Sequence, residues 1–267
     1  MLQIHQQLTN NFSHLGQSLV GNVQVYNGCV GPAHLRSLVF VFSDVLEWMS
    51  ATAEVFIDGT IKVAKHLPAD CQQVLSVVTS WNDHVVPVAY VLMSSKSEES
   101  YLHALQRLRD LGLVGRLFKT DFELGLMNAT RRVFGTLPTF RLSGCLLHHV
   151  FRVHESVGRM HLTDLFRDTA NALTMLRRLC ALPRLPAEQI GEGYTAVWHE
   201  FRRREPQLYA AVYPFLMYYH EQWLSIVRPS RLSVYKQYHA TTNHVETNHR
   251  HFKRFLQTPV PNSWDVI

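Results

Sequence analysis

Apolar and polar positions alternate with one period in the middle of this chain and with another toward its end. From about residue 54, three β-rich runs follow one another with short breaks: "AEVFIDGTIKVA", "CQQVLSVVTSW" and "HVVPVAYVLMS". Their β-branched and aromatic content, bounded by polar breaks, predicts three strands in an antiparallel meander. "NDH" (82–84) predicts a hairpin loop, and Pro87 an early-strand or edge position. The period then lengthens. Tyr101, Leu102, Leu105 and Leu108 recur at helical spacing behind a capping-box pattern, Ser95 to Glu98, and Leu111-Gly112 closes that helix. "VGRLFKTDFE" predicts a fourth, short strand, "LGLMNATRRVFG" a second helix ending at Gly135, and "TFRLSGCLLHHV" a fifth strand. The order β-β-β-α-β-α-β predicts an α/β fold, a mixed five-stranded sheet flanked by helices.

The flanks read differently. Residues 1–50 form a mostly helical or irregular lead-in: "GNVQVYNGCVGP" is punctuated like a loop, and "AHLRSLVFVFSDVLEWMS" has a helical look. After about residue 155 no strand pattern recurs. Residues 160–235 carry Leu, Arg, Trp and Tyr at helical spacing, with breaks near Pro183, Pro186, Pro206 and Pro229, and predict an all-helical insertion. A last helix begins near "TTNHVETNHRHFKRFL". The predicted organisation is a lead-in (1–50), a first part of the core (51–159), the insertion (160–235) and a final core helix (236–267).

Composition narrows the class. At 267 residues, with 46% apolar and 18% charged residues, the chain reads as globular and long enough to bury a sizeable core. The net charge of +5, with 16 His in addition, is a modest basic bias compatible with a polyanion partner. The four cysteines are scattered, so a reducing compartment is expected. "MLQIHQQLTN" has no basic and apolar leader pattern, and "LVFVFSDVLEWM" is too short and too charged to span a bilayer. These features predict an intracellular protein, nuclear or cytoplasmic, with no membrane partner.

Three carboxylates carry the candidate chemistry. Asp58 lies in "EVFIDGTIKV". Asp-Gly between alternating apolar residues is a hairpin signal, yet the strand pattern continues through it, which puts Phe56, Asp58 and Thr60 on one face. Asp121 stands where a strand gives way to a helix, a place that suits either a helix cap or a ligand site; Glu123 shares its side if the strand persists. Glu246, three residues after Asn243, reads as a capping-box partner or as an ion pair with Arg250 four residues on. Taken together, an acid in the first core strand, one at the tip of the fourth and one on a late helix match a two-metal phosphoryl-transfer site. Such a site calls for hard oxygen ligands.

"FIDGT", "PVAYVLMSSKSEESY", "KTDFELG", "SGCLLHH" and "TTNHVETNH" occur in the order and context of the MULE (Mutator-like element) transposase domain, which residues 50–267 resemble. The resemblance implies a ribonuclease H-like fold with a helical insertion before the last acid. It also implies an Asp-Asp-Glu (DDE) triad that binds divalent metal for DNA cleavage and strand transfer. Carried over, the triad is Asp58, Asp121 and Glu246. The separations are 63 (121 − 58) and 125 (246 − 121) residues, and the longer gap houses the insertion. The implied cofactors are two Mg²⁺ or Mn²⁺ ions. The implied partners are double-stranded DNA, as element ends and target, and a further copy of the chain. Cys145 and His148 match the family's Cys-x-x-His motif; zinc is not expected there, because no second ligand pair has standard spacing. Arg250 and Lys253 follow Glu246 at helical spacing as candidate DNA-phosphate contacts. The remaining basic clusters, Arg131-Arg132, Arg177-Arg178 and "HEFRRREPQ", read as solvated helix faces, and Trp198, Tyr218, Tyr219 and Trp223 as core.

Two departures from the family pattern stand out. Nothing upstream of residue 50 has the Cys/His spacing of a zinc-binding recognition module, and "PNSWDVI" resembles the start of a helix cut short. The expected function is that of a DDE-type transposase catalytic domain. The rival is a domesticated or decayed derivative that binds DNA or protein without catalysis, and a third reading is a nuclease acting on RNA–DNA hybrids.

Overall fold

The computed structural model describes residues 37–49, 53–61, 71–82, 84–242 and 245, and residues 23–30 through their backbone. The chain divides into two compact units, one of residues 1–142 and 242–267, the other of residues 143–241.

The first unit is built on a sheet. Its strands are β1 (Val23–Val30), β2 (Ser37–Phe42), β3 (Glu54–Thr60), β4 (Gln73–Trp81), β5 (His84–Met93) and β6 (Leu117–Thr120), and β7 (Arg141–Gly144) begins in it. The seven stand in the order β1-β2-β5-β4-β3-β6-β7. Neighbours from β1 to β3 pair antiparallel, whereas β3 and β6 run parallel, so the sheet is mixed and open. The expected meander is present as β3, β4 and β5. Trp81 pairs with His84 across the hairpin, where Asn82 takes a positive φ of 47°, a conformation that asparagine tolerates. Pro87 lies in a central strand, not at an edge. It sits where the β4–β5 register shifts, and β2 pairs with β5 only from Ala89 onward. Its missing N–H therefore costs the ladder little.

Two strands more than the expected five are present, and both correct the reading of the lead-in. The stretch taken as loop-like forms β1, which pairs with β2 through a register shift between Val25 and Cys29. The stretch taken as helical is split into β2 and a short helix, α1 (Ser43–Trp48). "LVFVF" has apolar residues on both faces, and Val39, Phe40, Val41 and Phe42 are all buried. A run that is apolar on both sides fits a covered strand better than a one-faced helix.

Helices α2 (Glu98–Asp110) and α3 (Leu124–Phe134) belong to the same unit. Ser97, not Ser95, caps α2: its Oγ accepts the Ser100 N–H at 3.1 Å, while Ser95 Oγ accepts the Ser97 N–H. Tyr101, Leu105 and Leu108 of α2 and Leu126, Met127, Val133 and Phe134 of α3 join one apolar core with Val55, Ile57, Leu75, Val77 and Phe118 of the sheet. Phe118 stacks on Phe134 with ring centroids 4.3 Å apart. Val55, Ile57 and Gly59 thus face the helices, and strand alternation turns Phe56, Asp58 and Thr60 to the other face. There a second, smaller cluster forms from Phe56, Val78 and Val245.

The second unit is helical: α4 (Leu146–Arg159), α5 (Thr163–Asp168), α6 (Ala170–Ala181), α7 (Ile190–Arg204), α8 (Tyr209–Tyr219), a π-helical segment (His220–Val227) and α9 (Pro229–Leu232). The expected insertion was 160–235; the compact unit starts earlier, at Ser143, and ends at Thr241. Its two ends are tied to each other. Ser143 Oγ donates to Gln237 Oε1 at 3.0 Å, and Leu146 N–H donates to the Ala240 carbonyl at 3.0 Å. The chain therefore leaves and returns at one place, as an insertion must. Its core includes Phe166, Leu176, Leu179, Phe201, Phe215, Tyr219 and Trp223. Among the described residues, no helix is long and apolar enough to cross a membrane.

Candidate acidic site on the sheet

β3 continues unbroken through Asp58 and Gly59 to Thr60, so Asp58 is a strand residue and not the corner of a hairpin. The turn expected after it, near "HLPAD", lies outside the described residues. Asp58 is 7% exposed and pairs with Ser76 of β4, which pairs in turn with Tyr90 of β5, opposite Phe40 of β2. These four side chains form one row across one face. Phe42 meets the Tyr90 ring edge-on at 6.2 Å on the same side. Ser76 is fully buried.

The parallel register of β3 and β6 runs up to the residues before the two acids. Glu54, Val55, Phe56 and Ile57 pair with Leu117, Phe118, Lys119 and Thr120, a constant offset of 63 (117 − 54). The last pair is Ile57 with Thr120, so Asp58 and Asp121 are each the next residue along the chain from that pair. Asp121 itself is past the end of β6. Its Oδ1 accepts the Glu123 N–H at 3.1 Å, and the Thr120 hydroxyl donates to the Asp121 carbonyl at 2.7 Å. The residue capping α3 is Glu123, and Asp121 holds the turn that leads into it.

Glu123 does not extend the strand. Its Oε1 accepts from the Tyr101 hydroxyl at 2.8 Å, and that hydroxyl accepts from Gln73 Nε2 at 2.7 Å. Burial raises the Glu123 carboxyl above its usual range, and the nearby Asp121 charge pushes the same way, while donation from Tyr101 and the Lys96 ammonium pull it down. Burial likewise holds the Tyr101 phenol well above its usual value. Lys119, 1% exposed, shares the face of Phe56 by its register. It stands two residues before Asp121 on the strand beside Asp58, and burying its ammonium requires a polar partner. Period-two alternation in "RLFKTD" was the signal that could have singled it out. Gln73 and Tyr101 carried no such signal, because their importance comes from partners distant in sequence.

The third acid, Glu246, and the cations Arg250 and Lys253 lie outside the described residues. Val245, the residue before Glu246, is fully buried against Phe56 and Val78, on the face that carries Asp58. Its N–H donates to the Thr242 carbonyl at 2.8 Å. Among the described residues no group of three or more His, Cys, Asp or Glu gathers to hold a metal ion. The described pair of acids is chemically suited to one: two hard-oxygen donors on neighbouring chain segments, with Asp58 fixed by a strand, fit Mg²⁺ or Mn²⁺ better than a soft-ligand metal.

Cys145 and His148 belong to the helical unit. Cys145 is buried at the N-terminal end of α4, and His148 is half-buried one turn on. Next to it, His149 is wholly buried. Its Nε2 meets the Tyr219 hydroxyl at 3.1 Å, and its ring packs on Tyr219 and Trp223. The Tyr219 hydroxyl donates its proton to the Leu179 carbonyl at 2.8 Å, so Nε2 of His149 carries the ring proton. Burial lowers its pKa to about 3, and the ring is neutral. Of the aromatic residues expected in the core, Tyr219 and Trp223 are there. Trp198 donates to the Tyr209 hydroxyl at 2.9 Å, and Tyr218 lies under the Arg159 guanidinium. Arg178 and Arg204 both pair with Glu200, and Arg132 pairs with Glu98, so these basic clusters are in part ion-paired helix surfaces. No protein-family model matches this chain, and no curated protein matches it.

Proposed function

We propose that this chain is the catalytic domain of a DDE-type DNA transposase of the MULE kind, with a ribonuclease H-like core. One observation carries the reading. The parallel pairing of β3 with β6 has the same 63-residue offset that separates Asp58 from Asp121, and carrying it one residue past the last pair, Ile57 with Thr120, would set the two acids level. The packing of Val245 against Phe56 supports it, because the chain reaches Glu246 from the face that bears Asp58.

In this reading Asp58, Asp121 and Glu246 would hold two Mg²⁺ or Mn²⁺ ions. When bound, the ions supply Lewis-acid activation of water or a 3′-hydroxyl and charge stabilisation on the leaving oxygen of a phosphodiester. The protein's part is positional. The strand holds the Asp58 backbone through its pairing with β4, and the Glu123 N–H orients Asp121. Arg250 and Lys253 hold the DNA backbone through its phosphates. The substrate is double-stranded DNA, cleaved at an element end and joined to a target.

Asp58→Asn is the test. With Mg²⁺ or Mn²⁺ present, the wild-type chain is expected to nick duplex DNA and the variant to be inactive with an unchanged circular dichroism spectrum. Full activity in the variant ends the reading. A wild-type chain that takes up no divalent ion favours the non-catalytic derivative, and preferential cutting of RNA–DNA hybrids in a substrate panel favours the hybrid nuclease.

A further inference from the structure

We infer that Gln73, Tyr101 and Glu123 form a buried strut that sets the orientation of Asp121 against β3, an inference that rests on the reading of Asp58 and Asp121 as a divalent-metal site. The links are continuous. Gln73 Nε2 donates to the Tyr101 hydroxyl (2.7 Å), the hydroxyl donates to Glu123 Oε1 (2.8 Å), and the Glu123 backbone N–H donates to Asp121 Oδ1 (3.1 Å). The polarity of the chain is dictated by its members. An ionised carboxylate only accepts, so the tyrosine proton goes to Glu123, and the hydroxyl must then receive from the amide nitrogen of Gln73. Gln73 and Tyr101 are fully buried, and Gln73 Nε2 also contacts the Met93 sulfur at 3.4 Å.

The far end of the strut reaches the residue after Asp58. A Cβ on Gly59 would come within 2.6 Å of Gln73 Oε1. Glycine at 59 is therefore what lets Gln73 lie across β3, and the strut runs from the neighbour of one acid to the hydrogen-bond donor of the other. Asp121 needs such help. It stands beyond the last paired residue of β6, in a turn where an aspartate side chain has several rotamers. A metal ligand has to be held to within about 0.5 Å, and groups behind the ligand supply that constraint. Glu123 gives α3 no side-chain cap; its carboxylate is drawn to Tyr101 instead, which anchors the backbone N–H that Asp121 accepts.

The test is Mn²⁺ affinity of the full chain, followed by electron paramagnetic resonance together with the melting temperature. Tyr101→Phe removes one oxygen and keeps the ring in the core. It is expected to weaken Mn²⁺ binding about tenfold, the scale of a lost outer partner of a metal ligand, and to alter the bound-ion line shape. Glu123→Gln keeps both the acceptor oxygen and the N–H and should bind like wild type. Glu123→Ala should fall to the level of Tyr101→Phe, and the two changes combined should be no worse than Glu123→Ala alone. Wild-type affinity in Tyr101→Phe, whatever its melting temperature, overturns the strut. So does an equal loss in Glu123→Gln and Glu123→Ala, which would make the carboxylate charge itself the active element. If Tyr101→Phe fails to fold, the two variants at the half-buried Glu123 decide. Asp58→Asn separates the levels: if it leaves Mn²⁺ binding untouched, the site reading falls and the strut with it. A sensitive Asp58→Asn beside an inert Tyr101→Phe defeats the strut alone.

Discussion

The two units bury polar groups for different ends. In the helical unit the chain of contacts closes on itself: His149 meets the Tyr219 hydroxyl, which donates to the backbone at Leu179, and Tyr194 donates to the backbone at Leu216. Both tyrosine protons end on main-chain carbonyls, and His149 is neutral. In the sheet unit the buried polar groups include charges, Asp58 and Lys119 on one face, and a relay from Gln73 leads toward Asp121. Burying a charge is far more costly than burying a hydrogen-bonded neutral group. The contrast is between neutral groups satisfied within the helical unit and charged groups carried on one face of the sheet.

Substitutions can break or sharpen the contrast. The largest effect is expected at Asp121. Asp121→Asn should lower divalent-dependent DNA cleavage at least about 100-fold, since even outer partners of a metal ligand are worth about 10–100-fold, with little change in urea midpoint. Cleavage measured beside urea unfolding checks both halves. The opposite profile is expected in the helical unit. His149→Ala should cost about 2–4 kcal/mol of stability by opening a cavity and removing the donor to the Tyr219 hydroxyl oxygen. A urea midpoint like that of wild type would show that this buried polarity is not structural.

Acid titration gives the next test. His149 has a folded pKa of about 3, below its ordinary value near 6.5. Between those values the unfolded chain binds a proton that the folded chain refuses, so this residue's contribution to stability is complete above about pH 6.5 and is lost progressively as the pH falls toward 3. His149→Phe should flatten that part of the stability–pH curve, read by thermal unfolding across the range. Gly59→Ala should cost about 1 kcal/mol through displacement of Gln73, with weakened Mn²⁺ binding as the sign that the strut has moved. The smallest effect belongs to the surface. Arg152, 3.0 Å from Glu155 and exposed, should be worth less than about 0.5 kcal/mol on replacement by Ala.

Much of this was legible in the chain. The five expected strands and the two helices beside them are present, because their period is local, but the cap of α2 is Ser97 and not Ser95, and only Arg141–Gly144 of the expected fifth strand is a strand, since "LLHHV" opens α4. The lead-in was misread for a physical reason: a run apolar on both sides, such as "LVFVF", has no one-faced period, and only pairing of Ser37–Val41 with Met93–Ala89 makes it a strand. Pro87 was misplaced for a related reason. Whether a proline is tolerated depends on which neighbours pair beside it, and that is a property of the sheet.

The sequence by itself determined the residue types at the site, the alternation that puts Phe56, Asp58 and Thr60 on one face, and the long helical segment after residue 155. Only the tertiary structure decided that Asp58 is inside a strand, that β3 and β6 pair parallel at an offset of 63 residues, and that Gly59 yields its space to Gln73. Periodicity and capping are set within a few residues of chain. Register and close approach are set by partners dozens of residues away, and no local pattern encodes them.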